Sequence, residues 1–157
     1  MTSTNIPAPV FLDTNILIRA TIVSAPLHTE LRDALTNLWN AGTDLWISRQ
    51  ILREYLAVVT RKQTFINPLN AADAVTHIRL FATQFSIAED SARVTEELLN
   101  LMQTEPTGGK QIHDANIVAT MPVYRIQNLF TLNREDFKRF LPQINLLSME
   151  DVQASSE

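Results

Sequence analysis

Short apolar runs alternate with longer amphipathic stretches along this 157-residue chain. Val10-Phe11-Leu12 and Leu45-Trp46-Ile47 have the length of buried strands, and the stretches between such runs carry apolar residues at helical spacing. This alternation is typical of an α/β domain with a parallel sheet. We expect a single domain over residues 1–150, followed by a mobile tail over residues 151–157.

The pattern also predicts where individual elements begin and end. Strands are predicted over residues 10–12, 45–47, 85–87, 128–131 and 144–147. Helices are predicted after Asp13, over residues 27–39, 49–60, 70–85 and 111–121, after residue 90, and in a short segment ending near residue 140. Gly42 is expected to end the second helix as a C′ glycine, Asp90 to cap the fifth, and Pro122 to stop the sixth.

Composition excludes several classes of site. The chain has no cysteine, which rules out disulfides and thiolate metal ligands, and its three histidines show no paired spacing for zinc. No apolar run approaches the ~18–20 residues that a membrane span needs. The formal net charge of −4 and the pI of about 5.3 disfavour nucleic acid as a partner, unless a local basic patch or a metal intervenes.

Asp13 directly follows the first apolar run, so it is predicted at the carboxyl end of the first strand. Ligands bind at that edge in open α/β sheets. A plain helix N-cap is an equally good interpretation, because Asp is a preferred cap and a short helix follows.

Glu54 lies on or beside the apolar face of its predicted helix. Ile51, Tyr55 and Val58 form one stripe at helical spacing, and Glu54 projects at its side. An unpaired carboxylate there costs several kcal/mol, so it requires a cation, a metal or a position at the rim. Pairing with Arg49 or Arg53 is the alternative account.

Asp114 continues the buried stripe of the sixth predicted helix toward its start. Ile117, Val118 and Met121 follow it at three, four and seven residues. The positive end of the helix dipole offers a second explanation for an anion there. His113 is expected to face another side, in a structural role or as a phosphate contact.

Three acids at one edge of a sheet repel one another unless a cation lies among them. Oxygen ligands without histidine or cysteine favour Mg²⁺ or Mn²⁺ over zinc. Asp13, Glu54 and Asp114 therefore form the candidate site.

Four stretches of the chain, in order, resemble the PIN-domain ribonucleases, which include the VapC-type toxins of bacterial toxin–antitoxin pairs. They are residues 11–17 (FLDTNIL), 48–55 (SRQILREY), 109–119 (GKQIHDANIVA) and 129–137 (LFTLNREDF). The resemblance covers about residues 9 to 148. It implies a three-layer α/β/α sandwich around a mainly parallel sheet of four to five strands.

The resemblance also implies roles for particular residues. The family's metal-binding acids map onto Asp13, Glu54 and Asp114, and a polar pair that positions water or phosphate maps onto Thr131 and Asn133. Many relatives carry a fourth acid at the position where this chain has the amide Asn133. Asp136 is then a secondary metal ligand or a local helix cap. Asn15 is expected to orient Asp13 without binding the metal itself.

The implied reaction is hydrolysis of an RNA phosphodiester bond by a water activated on Mg²⁺ or Mn²⁺. The implied partners are RNA, a cognate antitoxin and a second copy of the chain, in the cytoplasm and without a membrane. Basic residues would steer the RNA, or they are ordinary surface charges. The candidate RNA contacts are Arg49, Arg53, Lys110 and Arg134, and further basic residues of this kind are Arg61, Lys62, Lys138 and Arg139.

Two other functions fit parts of the sequence. A phosphotransfer domain would phosphorylate Asp13, but it requires a nearby acid or a strand-end lysine that the flanking residues do not supply. A PIN-like module that binds RNA or protein without catalysis would be consistent with Asn133. The three retained acids argue against that module.

Overall fold

A computed structural model describes residues 7–62 and 67–154 of the chain. The strands are β1 (Val10–Leu12), β2 (Leu45–Ser48), β3 (Ser86–Ala88), β4 (Asn128–Phe130) and β5 (Asn145–Leu147). The α-helices of these ranges are α1 (Thr14–Thr21), α2 (His28–Asn40), α3 (Arg49–Val59), α4 (Ala71–Gln84), α5 (Ala92–Thr104), α6 (Gln111–Val123), α7 (Arg134–Phe137) and α8 (Met149–Ala154). A 3₁₀ turn, Lys138–Phe140, follows α7.

The five strands form one sheet in the order β3-β2-β1-β4-β5, and every pairing is parallel. Helices flank the sheet in an α/β sandwich, which confirms the predicted fold class. All three residues of β1 are buried, as expected for the central strand of a parallel sheet covered on both faces. None of the helices in the described ranges is long and apolar enough to cross a membrane.

Two predicted helix boundaries are wrong, and each has a local cause. Asp90 does not cap α5: its carboxylate pairs with Arg53 at 3.0 Å, and the Ser91 hydroxyl instead accepts a hydrogen bond from the Val94 N–H. Pro122 does not stop α6, which continues to Val123. Proline has no N–H to donate to the Val118 carbonyl, so α6 lacks that hydrogen bond in its last turn and ends one residue later.

The chain's end also differs from the expected mobile tail. Residues 151–154 belong to α8, which packs against α2, and Val152 is buried. Residues 151–154, which we expected to begin the tail, therefore form part of a packed helix. Residues 155–157 lie outside the described ranges.

Gly42 ends α2 as predicted. Its φ of 81° is left-handed, and the next N–H, of Thr43, donates to the Leu38 carbonyl at 3.0 Å. This backbone conformation favours glycine because a Cβ adds strain there.

Replacement of Gly42 by alanine tests this strain. A Cβ at Gly42 meets nothing within 4 Å, so we expect Gly42→Ala to lower the free energy of unfolding by about 1 kcal/mol through backbone strain alone. Gly108→Ala is the matched control, because a Cβ there also meets nothing within 4 Å and its φ is not left-handed. Equal urea midpoints for the two variants would contradict this account.

Candidate functional site

Asp13 lies at the end of the central strand, from which earlier and later strands of the sheet extend on opposite sides. It follows β1, whose chain continues to β2 on one side while β4 lies on the other. Such a switch point opens a crevice at the carboxyl ends of the two strands. Asp13 is only 7% exposed there.

Hydrogen bonds hold both carboxylate oxygens of Asp13. Oδ1 accepts from the Thr14 N–H at 2.8 Å, so the residue does cap α1 as one interpretation required. Oδ2 accepts from the Thr131 hydroxyl at 2.7 Å and from the Asn15 side-chain amide at 3.3 Å. Burial nevertheless raises the pKa of Asp13, and the nearby charges of Glu54 and Asp136 raise it further.

The segment after β4 is organised around the Thr131 hydroxyl. Besides donating to Asp13, this oxygen accepts from the Asn133 backbone N–H at 3.0 Å. Asn15 spans the same gap, because its side-chain oxygen accepts from the Leu132 N–H at 3.3 Å. Thr131 and Asn15 therefore orient Asp13, whereas the Asn133 side chain is exposed.

Glu54 is half-buried on α3, and its carboxylate contacts Thr14, the residue directly after Asp13. The Thr14 hydroxyl donates to its Oε2 at 2.7 Å, and the Gln50 side-chain amide donates to its Oε1 at 2.9 Å. Neutral groups thus hold a carboxylate that is not part of any ion pair among the described residues.

The arginines on either side of Glu54 along the helix have other partners. Arg49 forms two hydrogen bonds with Glu89, at 2.7 and 3.0 Å, and Arg53 pairs with Asp90. Pairing of Glu54 with a neighbouring arginine, the alternative raised by the sequence, is therefore not what the structure has. The same ion pairs engage two of the four candidate RNA contacts.

Asp114 lies in the first turn of α6 with a pKa raised to about 6. Burial is the main cause, and the charges of Asp13, Asp136 and Glu54 add to it. A helix start alone would favour the anion. Burial and repulsion outweigh that effect, because the pKa of Asp114 is raised and not lowered. Stabilisation by the helix start therefore does not explain why an acid lies at this position.

Asp136 belongs to the same group of charges, although its side chain is exposed. Its charge raises the pKa of both Asp13 and Asp114. The structure thus brings Asp136 close enough to Asp13 and Asp114 for its charge to act on both. Lys110 and Arg134 are exposed.

Sequence reasoning missed Gln50 and Asn116. The Asn116 amide donates to Gln50 Oε1 at 2.8 Å, and Gln50 Nε2 donates to both Glu54 and the His113 carbonyl. One signal was available, because Gln50 precedes Glu54 by four residues and so shares its helix face.

Arg139 is a third residue that sequence reasoning did not place beside the acids, since we expected it either to steer RNA or to be an ordinary surface charge. Its guanidinium lowers the pKa of Asp114, against the acids that raise it. Nη1 donates to Gln111 Oε1 at 2.8 Å, and the guanidinium carbon lies 4.6 Å from the centre of the Phe140 ring.

The donor set fits a hard divalent cation. It consists of carboxylate, amide and hydroxyl oxygens, and the acids destabilise one another's charged forms unless a cation lies among them. As the side chains stand, no three acidic, histidine or cysteine residues of the described ranges form a complete metal site.

A family-level comparison matches residues 10–140 to the PIN domain. The chain belongs to the PIN-domain family. This confirms the family inferred from the four sequence stretches. No curated protein matches the sequence significantly.

Several solved structures share the PIN fold. VapBC2 of Rickettsia felis, bound to a promoter DNA fragment, has a TM-score of 0.62 and 22% identity over 88% of this chain and 96% of that one. VapC20 of Mycobacterium tuberculosis, a toxin that cleaves the sarcin–ricin loop, has a TM-score of 0.63 and 16% identity over 87% and 98%. A toxin–antitoxin complex from Klebsiella pneumoniae has a TM-score of 0.61 and 23% identity over 89% and 97%.

The raised pKa of Asp114 in this PIN domain predicts a pH-dependent effect of Asp114→Asn. The folded protein holds this proton up to about pH 6, whereas the unfolded chain releases it near pH ~4. Metal-free stability therefore falls as the pH rises through this window. We expect Asp114→Asn to raise the Tm at pH 7.5 in EDTA by roughly 2–4 °C, a gain of about 1 kcal/mol after discounting for partial exposure.

The gain should shrink at pH 4, where the aspartate is protonated in the folded state and about half protonated in the unfolded chain. Thermal unfolding at the two pH values measures the difference. Asp33→Asn, an exposed acid on α2 with a side chain 61% exposed, is the control and should show no such gain. An equal Tm difference for Asp114→Asn at both pH values would refute the assignment.

Proposed function

We propose that this protein is a cytoplasmic, metal-dependent endoribonuclease and the toxin of a toxin–antitoxin pair. The carrying observation is that Asp114 has its pKa raised to about 6 by burial and by three other acids, at the switch point of a PIN fold. Strongly perturbed acids in a cleft are characteristic of functional sites.

Asp13, Glu54 and Asp114 are the proposed ligands of Mg²⁺ or Mn²⁺, and Asp136 is a secondary ligand. PIN nucleases generally use divalent metal ions. When bound, such an ion supplies positive charge that activates water and stabilises negative charge on the phosphate. It also offsets the repulsion that an acidic cleft exerts on RNA.

The surrounding residues have supporting roles in this proposal. Thr131 and Asn15 fix the rotamer of Asp13 through the hydrogen bonds at its Oδ2. The exposed amide of Asn133 is free to face a phosphate or water, and the exposed Lys110 and Arg134 are the remaining candidates for RNA contacts. Arg49 and Arg53 contribute to RNA binding only if they exchange their present carboxylate partners.

The nuclease proposal is tested by replacing its acids. We expect Asp13→Asn and Asp114→Asn each to reduce Mn²⁺-dependent RNA cleavage by roughly 100-fold or more, because changes outside the ligand set alone cost about 10–100-fold. Circular dichroism should show that the fold persists, and Asp33→Asn should cleave like the wild type. Full activity of either site variant, or of the wild type in excess EDTA, would exclude this mechanism.

A PIN module without catalysis is the second candidate. It is favoured by Asn133 in place of an acid, and by the incomplete metal site in the present side-chain arrangement. Calorimetry with Mn²⁺ separates the two functions. Micromolar or tighter binding by the wild type supports the nuclease, and no binding supports the module.

The partner proposals follow from the relatives. Two of the similar structures are toxin–antitoxin complexes, from Rickettsia felis and Klebsiella pneumoniae, and we propose a cognate antitoxin for this chain as well. We also propose a homodimer, for which the exposed Trp39 on α2 offers an apolar contact. Light scattering of the purified chain measures the second point, since a mass of 17.7 kDa would indicate a monomer.

A further inference from the structure

The Gln50 side chain is a buried amide between helices α3 and α6 of the site. It is 6% exposed. Its Nε2 donates to Glu54 Oε1 and to the His113 carbonyl, both at 2.9 Å, and its Oε1 accepts from the Asn116 amide at 2.8 Å. Both amide protons and the carbonyl oxygen therefore have protein partners.

These contacts fix the direction of the amide. Glu54 and the His113 carbonyl can only accept, so they require the nitrogen end. Asn116 presents its NH₂ group and requires the oxygen end. A flipped Gln50 would face a carboxylate and a carbonyl with its own oxygen, and would leave buried groups unpaired at a cost of about 1–3 kcal/mol each.

The same contacts connect the acids to one another. The His113 carbonyl belongs to the residue just before Asp114, so Gln50 links α3 to the start of α6. The other oxygen of Glu54 accepts from the hydroxyl of Thr14, which is the residue directly after Asp13. The position of Glu54 relative to both other acids thus depends on two neutral donors.

We propose that Gln50, oriented by Asn116, is a positioning residue that sets Glu54 against the start of α6 for divalent-cation binding. This inference rests on the proposed metal site. It assigns Gln50 an effect that acts through Glu54 and not through general stability. A purely structural glutamine, which only satisfies the His113 carbonyl, would affect folding and leave the affinity for the cation unchanged.

Calorimetric titration with Mn²⁺ alone distinguishes these roles. Gln50→Met keeps most of the side-chain volume and removes all three hydrogen bonds, and we expect it to weaken Mn²⁺ binding by roughly 10–100-fold. In the Glu54→Gln background the same change should have an effect of less than about threefold, because residues that act through each other are not additive.

Tyr55→Phe is the matched control on the same helix. Tyr55 is fully buried, and its hydroxyl lies 2.8 Å from Thr21 Oγ1 and 2.7 Å from His77 Nδ1. We expect loss of that hydroxyl to lower the urea midpoint, as we also expect for Gln50→Met, but to leave Mn²⁺ affinity at the wild-type value. Lower stability should therefore appear in both variants, whereas weaker Mn²⁺ binding should appear only in Gln50→Met.

The outcomes separate this inference from the proposed function. A wild type that fails to bind Mn²⁺ overturns the metal site and this inference with it. A wild type that binds, with Gln50→Met within about twofold of it or equally impaired when Glu54 is Gln, overturns the inference alone. Should Gln50→Met not fold, Asn116→Ala decides: a loss of roughly threefold to tenfold supports the inference, and unchanged affinity overturns it.

Discussion

The hydrogen bond between Thr131 and Asp13 is the contact from which the rest of the site extends. It joins the carboxyl ends of the two central strands, and it gives a buried carboxylate one of the few partners that make its burial tolerable. The donor is a neutral hydroxyl, and no ion pair among the described residues includes the Asp13 carboxylate. The acids of α3 and α6 then add to this charge, which gives the cluster its attraction for a cation.

Much of this arrangement could be predicted because it depends on local sequence. A carboxylate directly after a buried strand, or beside an apolar helix stripe, is recognisable without knowing the fold. Two of the three contacts of Gln50 are different: they join residues 63 and 66 positions apart, and no local pattern specifies such pairings. A local rule also failed at Asp90, which pairs with Arg53 while the next residue, Ser91, caps α5.

The structure separates the residues that stabilise the domain from those that impose a cost on it. The sheet and its helices are held by an apolar core that runs from β1 through α3 and α6. The acidic cluster opposes this stability, because burial and like charge raise the pKa of Asp13 and Asp114. Proteins commonly retain such unfavourable groups where function requires them.

The site is also assembled from distant parts of the chain. Thr131 and Asp13 lie 118 residues apart, and Glu54 lies 40 residues from its Thr14 partner. Contacts of such long range form only after large loops have closed, which slows folding. During synthesis, Asp13 emerges from the ribosome long before Thr131 exists. The acidic cluster can therefore reach its final arrangement only after Thr131 has been synthesised.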